Sequence, residues 1–231
     1  MSSPATWDFG LSEEQEARAA QLHQDSIIVD MMNQHPGGMN IFRELDPRLV
    51  EQALGDIDEG LSGVGHAILA PYRIAATGQS DLIEQWWRQS GVDVGVFGVG
   101  MGPPHVTSAM SGYRELYDVI WSLEWTRKVT TAADIRQAKA EGDIAFYGYC
   151  QPVYGLSANL DDVDAAYEQG LRVLMLTYNR QDYVGAGCTE PNNAGLSRYG
   201  EQVVERCNDL GIIVDTSHCG KQTTLDACRL S

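Results

Sequence analysis

The residues best placed to do chemistry stand in one short stretch, Asp215-Thr216-Ser217-His218, directly after the apolar run Ile212-Ile213-Val214 and between Gly211 and Gly220. An imidazole close to a carboxylate offers proton transfer or metal ligation. An apolar, β-branched run bounded by glycines and preceded by a helical pattern predicts a parallel strand covered on both faces. Folds of that kind place their active sites at the carboxyl ends of such strands. Taken by themselves, one Asp and one His have a structural alternative, a hydrogen-bonded histidine at a strand end.

The elements that must position this stretch follow a rhythm along the chain. A polar helix over 12–24 opens with Ser12 and Gln15 as a capping box, and a short apolar run over 26–30 predicts a first strand. Residues 31–90 are glycine-rich and irregular, with Pro36-Gly37-Gly38 and an apolar patch over 64–71. That length is uncommon for a plain loop, so the segment is expected to be a long insertion acting as a lid or to hide a further element. A second strand is predicted over 92–99 and a helix over 108–125, with Leu116, Ile120 and Leu123 at helical spacing and its tryptophans as core anchors. Thr131 and Asp134 cap a helix that Gly142 ends, and a third strand covers 144–151. Asn159 caps a helix ending at Gly170, a fourth strand covers 171–179, and a helix over 197–210 leads into the opening stretch. A last helix begins near Thr223.

Strands alternating with helices at this spacing predict an α/β fold with a parallel sheet, and right-handed crossovers bring the strand ends to one rim. That rim would hold Gln34, Gln151, Tyr178, Asn179 and His218.

Composition bounds the function. With 231 residues, 43% of them hydrophobic, the chain is expected to form a single globular domain over 1–231. A formal charge of -16, from 32 acidic and 16 basic residues, argues against a nucleic-acid partner. The five cysteines lack the paired spacings of a disulfide framework or a zinc ribbon. No basic region followed by an apolar core opens the chain, and no apolar run reaches the roughly 20 residues of a membrane span. A cytoplasmic protein is expected, without membrane attachment and with homo-oligomerisation open.

From Thr131 onward the sequence resembles the membrane dipeptidases, the renal-dipeptidase-like metallopeptidases of family M19. The resemblance rests on Ala133-Asp134-Ile135 with Gly142-Asp143-Ile144-Ala145, on Leu176-Thr177-Tyr178-Asn179, on Gly195-Leu196-Ser197-Arg198-Tyr199-Gly200 and on the stretch ending at His218. It implies a TIM-type (β/α)8 barrel of the metal-dependent hydrolase kind. It also implies two zinc ions held by a His-x-Asp pair after the first strand, a bridging Glu after the third, and histidines after the fifth and sixth. Such ions acidify a bridging water and polarise the scissile carbonyl. The remaining family ligands and a substrate-binding arginine would fall beyond Ser231, so the barrel is expected to be truncated after about five βα units.

Carried over position by position, the resemblance leaves His218 as the metal ligand. The family histidine and aspartate after the first strand align with Met32 and Gln34, and the bridging glutamate with Gln151. None of these is a normal zinc ligand. His35 is offset by one residue from the lost pair, and a one-residue shift along a strand reverses side-chain direction. His23, His66 and His105 read as surface or loop residues. Tyr178 replaces a histidine that contacts the substrate carbonyl, and tyrosine can still donate to an oxyanion. Tyr178 and Gln151 are therefore the expected catalytic residues and Asn179 the expected substrate-binding residue, in a hydrolase of dipeptides or related small amides for which the resemblance implies zinc, with one ion or none expected because Met32, Gln34 and Gln151 replace family ligands. The alternatives are a barrel that binds a small molecule or partner without metal chemistry, and a fragment without function.

Overall fold

A strand buried on both faces needs apolar, aromatic or small residues at every position, and 144–150 supplies them. In a computed structural model, which describes residues 8–32, 45–55, 70–100, 118–151 and 159–231, this run lies in β3, Ile144–Gln151, buried along all but its last residue. It pairs in parallel with β1 (Val94–Gly100), from Val94 opposite Ala145 to Gly100 opposite Gln151. Its other edge is shared by β2 (Thr126–Lys128) at the start and β4 (Leu171–Met175) towards the end, and β4 carries β5 (Ile213–Asp215), all parallel.

Alternate side chains of β3 enter two separate cores. Ile144, Phe146 and Cys150 join Leu174 under α3 (Ser80–Ser90), α5 (Asp161–Glu168) and α6 (Arg198–Leu210), which contribute Ile83, Trp87, Val163, Val203, Val204 and Cys207. Trp87 and Tyr72 both meet the Phe146 ring edge-on, with centroids 5.1 and 5.9 Å away. Ala145, Tyr147 and Tyr149 instead join Val94, Val96, Val173 and Met175, covered by Ile135 and Ala138 of α4 (Ala132–Glu141) and by Val129. Further helices among the described residues are α1 (Glu13–Asp25), α2 (Pro47–Gly55) and α7 (Lys221–Leu230), with a π-turn over Ala75–Gln79 ahead of α3. Among the described residues no helix is long and apolar enough to cross a membrane.

The helix caps stand where local chemistry predicts them. Ser12 Oγ accepts from the Gln15 amide, and Gln15 Oε1 from the Ser12 amide. Thr131 and Asp134 make the same reciprocal pair, while Gly142 and Gly211 end their helices in the left-handed region.

Other expectations are corrected. The first strand is reduced to a single parallel bridge, Val29 opposite Val94, because the Asp93 carboxylate takes the Ile28 amide that a ladder would use. The expected insertion over 31–90 includes α2 and α3, and its 70–90 portion packs into the core through Ile83 and Trp87; residues 33–44 and 56–69, with Gln34, His35 and His66, lie outside the described residues, as does His105. Of the tryptophans over 108–125, Trp125 is buried and its indole N–H donates to Ser80 Oγ at 2.8 Å, but Trp121 lies exposed under Lys128. β2 has no counterpart among the expected strands, because three residues of mixed polarity carry no periodicity. Finally, β5 is an edge strand covered on one face only. Ile213 is 55% exposed and lines an open apolar cavity of about 280 Å³ with Val29, Val129, Tyr147 and Val173.

Candidate active site at the strand ends

After β4 the chain continues through Leu176 and the buried Thr177 before turning sharply at Asn179. After β5 it turns sharply at His218. These are the two described non-glycine residues with positive φ, 64° and 61°. Left-handed backbone is uncommon outside glycine, though asparagine and histidine adopt it more readily than most. Such strain gathers where side chains must be aimed for function.

The two turns aim their side chains at each other. His218 Nδ1 lies 2.8 Å from Asn179 Oδ1, and the imidazole stacks on Tyr178 with centroids 4.2 Å apart and planes 23° apart. A carboxamide oxygen only accepts, so with that oxygen facing the ring the contact is a hydrogen bond in the tautomer that carries its proton on Nδ1. The thiol of Cys188 approaches the same oxygen at 3.3 Å. Backbone bonds tie this loop to both turns: the Cys188 amide donates to His218 O at 2.8 Å, and the Thr189 amide to Asn179 O at 2.9 Å.

Gly187 makes the close approach feasible. A Cβ there would stand 2.1 Å from the Asn179 carbonyl carbon and 2.4 Å from the Arg180 nitrogen, both backbone atoms with no freedom to swing aside. Gly187→Ala is expected to cost about 1–3 kcal/mol of stability. Urea denaturation would show a lower midpoint with an unchanged slope.

Below the rim, Asp215 at the end of β5 accepts from the Tyr149 hydroxyl at 2.8 Å and from the Ser217 amide at 2.8 Å. Burial first, then this bond to a carboxylate, pushes the Tyr149 phenol well above its ordinary range. Tyr147 is raised by burial and by the Asp30 and Asp215 charges, and its hydroxyl is buried with no partner. Under the loop, Asp182 Oδ1 accepts from the Val184 and Gly185 amides at 2.7 and 3.2 Å, while Oδ2 is buried without a partner. Desolvation pushes this carboxyl up to about 6.

The structure thus brings Tyr178, Asn179 and His218 into contact. Gln151 ends β3, half-buried, and makes no hydrogen bond or ring contact with those three. Met32 is 51% exposed and its amide donates to Asp30 Oδ1. Sequence reasoning named Asp215 but passed over its partner Tyr149, Cys188 and Asp182. Of these, only Tyr149 carried a signal, since strand alternation puts it on the same face as Gln151.

A zinc pair needs several imidazoles and carboxylates converging on one point. Among the described residues no three His, Cys, Asp or Glu side chains do so. The only family-type ligand among them is His218; Met32 offers a thioether and Gln151 a neutral amide. The described donor set does not fit a zinc pair.

Comparison with known proteins accords with this architecture. An amidohydrolase from Pseudomonas aeruginosa superposes with a TM-score of 0.62 at 21% identity, over 92% of this chain and 52% of that one. A metallopeptidase from Rhodobacter sphaeroides, solved with a phosphinate mimic of the dipeptide L-Ala-D-Ala, gives 0.58 at 19% identity, over 89% and 63%. Among curated proteins, an uncharacterized protein in the PQQ-III 3' region of Acinetobacter calcoaceticus is 28% identical over 99 residues, 40% of this chain and 31% of that protein. The chain therefore spans about half to three fifths of the solved structures it matches, and less of the curated relative. At these identities the structures speak for the fold alone, a parallel βα architecture of the TIM-barrel type. The membrane dipeptidase profile, peptidase family M19, matches residues 16–231. With the strand-end order of Tyr178, Asn179 and His218 in place, the chain belongs to the membrane dipeptidase family, M19, whose members are generally metal-dependent.

Proposed function

We propose that the rim of this sheet is the active face of a hydrolase acting on dipeptides or related small amides. The observation that carries the reading is the orientation of His218. Because its Nδ1 donates to Asn179, its Nε2 holds a lone pair at the strand-end rim, ready to accept a proton from water or to hold a cation. Tyr178, stacked on the imidazole, would donate to the oxyanion that forms when water attacks the carbonyl, and the Gln151 amide would orient the substrate from β3. M19 membership and the dipeptide mimic held by the Rhodobacter sphaeroides metallopeptidase support the substrate class. Since the described residues do not fit a zinc pair, no step of this reading runs through a metal.

The test is turnover of a dipeptide panel that includes D-residues at the C-terminal position, together with elemental analysis of protein purified without chelator. Turnover is expected, and His218→Ala should lower kcat/KM by at least about 100-fold, as loss of a proton-transferring group does. A protein that cleaves nothing in the panel would overturn the hydrolase reading. It would favour the second reading, a barrel that binds a small molecule without catalysis. About two equivalents of zinc per chain would show that residues outside the described set complete a metal site.

A further inference from the structure

We infer that Asn179 is a positioning residue and not a substrate contact: together with Cys188 it locks the tautomer of His218 and so decides which ring nitrogen faces the reaction. The inference rests on the reading of His218 as the reacting imidazole, but it concerns the ring itself and can be tested without turnover.

The argument begins with the carboxamide oxygen. A carbonyl oxygen has two lone pairs, and two donors occupy them here, His218 Nδ1 at 2.8 Å and Cys188 Sγ at 3.3 Å. Rotating the amide by half a turn would put an NH2 against the thiol and the ring nitrogen. That arrangement replaces a good acceptor for S–H with a donor, so the thiol favours the oxygen-inward orientation. With the oxygen inward, the neutral imidazole must carry its proton on Nδ1. Free imidazole side chains place it on either nitrogen, and a hydrogen bond to the other nitrogen is what selects one form.

The surrounding backbone shows the same purpose. Both partners sit in left-handed turns, the Cys188 amide donates to His218 O, and the Gly187 backbone packs where any side chain would displace Asn179. Two turns 39 residues apart and the 187–188 backbone are therefore bolted together around one hydrogen bond. Asn179 spends its oxygen on this contact, which leaves that atom unavailable to a substrate.

The experiment is long-range proton–nitrogen NMR on protein labelled with 15N at histidine, with kinetics on the same samples. With the ring neutral, His218 is expected to show a protonated Nδ1 and an unprotonated Nε2. Asn179→Gly keeps the left-handed turn and removes the acceptor; the Nδ1–H form should give way to a mixture, and kcat should fall about 10-fold or more with KM little changed. Asn179→Asp retains an acceptor and should restore the Nδ1–H form. Cys188→Ala should shift the ring towards the mixture less than Asn179→Gly does. An Nε2–H signal in the unsubstituted protein, or an unaltered Nδ1–H signal in Asn179→Gly, would overturn the inference. Loss of turnover in every sample with the tautomer shifts intact would instead refute the hydrolase reading and leave this one standing.

Discussion

Trp87→Ala is expected to lower the unfolding free energy by about 3–5 kcal/mol, the cost of emptying a large buried aromatic site. Trp87 is 0% exposed and packs edge-on against Phe146 of the central strand, with Ile83 one helical turn before it. A domain of ordinary stability has about 5–15 kcal/mol in total, so this one substitution should move the melting temperature by several degrees or leave much of the chain insoluble. The result matters for how 31–90 is understood. A lid that only covers the rim could be altered with a change in specificity and little loss of fold. Trp87 lies at the far end of that segment and behaves as core. Calorimetry or urea titration of Trp87→Ala beside Trp121→Ala would separate the two kinds of tryptophan, since Trp121 is exposed and should cost well under 1 kcal/mol.

The second large effect has the opposite sign. Asp182→Asn is expected to stabilise the protein at pH 7 and to do so less, or not at all, near pH 4. In the fold its carboxyl is pushed up to about 6 from an ordinary 3.8, because burial penalises the charged form more than the Val184 and Gly185 amides favour it. The folded state then binds more protons than the unfolded state between those values, so stability falls as pH rises through the window. Holding the charge at pH 7 costs on the order of 3 kcal/mol at about 1.4 kcal/mol per pKa unit. Asparagine keeps the Oδ1 acceptor for both amides but leaves an amide NH2 at the position of the unpartnered Oδ2, which costs roughly 1 kcal/mol or more. The net gain should be about 1–2 kcal/mol, read as a higher urea midpoint at pH 7 and a flatter profile between pH 4 and 6. A variant whose advantage over the unsubstituted protein is no larger at pH 7 than at pH 4 would show that Oδ2 reaches water or a partner.

Much of the fold was legible because its signals are local. The reciprocal bonds of Thr131 with Asp134 span three residues, and Gly142 and Gly211 act where they stand. β3 was readable because its residues up to Cys150 must be apolar, aromatic or small to lie between two cores. β5 was readable as a strand but not as an edge, since Ile212-Ile213-Val214 has the same apolar pattern whether or not a neighbour covers Ile213. Likewise, residues 70–90 show helical spacing only once their glycine-rich surroundings are set aside, and nothing near Trp87 in the chain announces Phe146 as its partner.

The site divides along the same line. Residue order and strand ends were enough to put Gln151, Tyr178, Asn179 and His218 on one rim and to place the chain in its family, because a parallel sheet collects its carboxyl ends whatever the details of packing. The pairing of Asn179 with His218 across 39 residues, the thiol of Cys188 on the same oxygen and the buried charge of Asp182 come from the packed fold. Each depends on backbone turns and desolvation that arise when distant segments meet, and neither quantity is written in the spacing of residues along a chain.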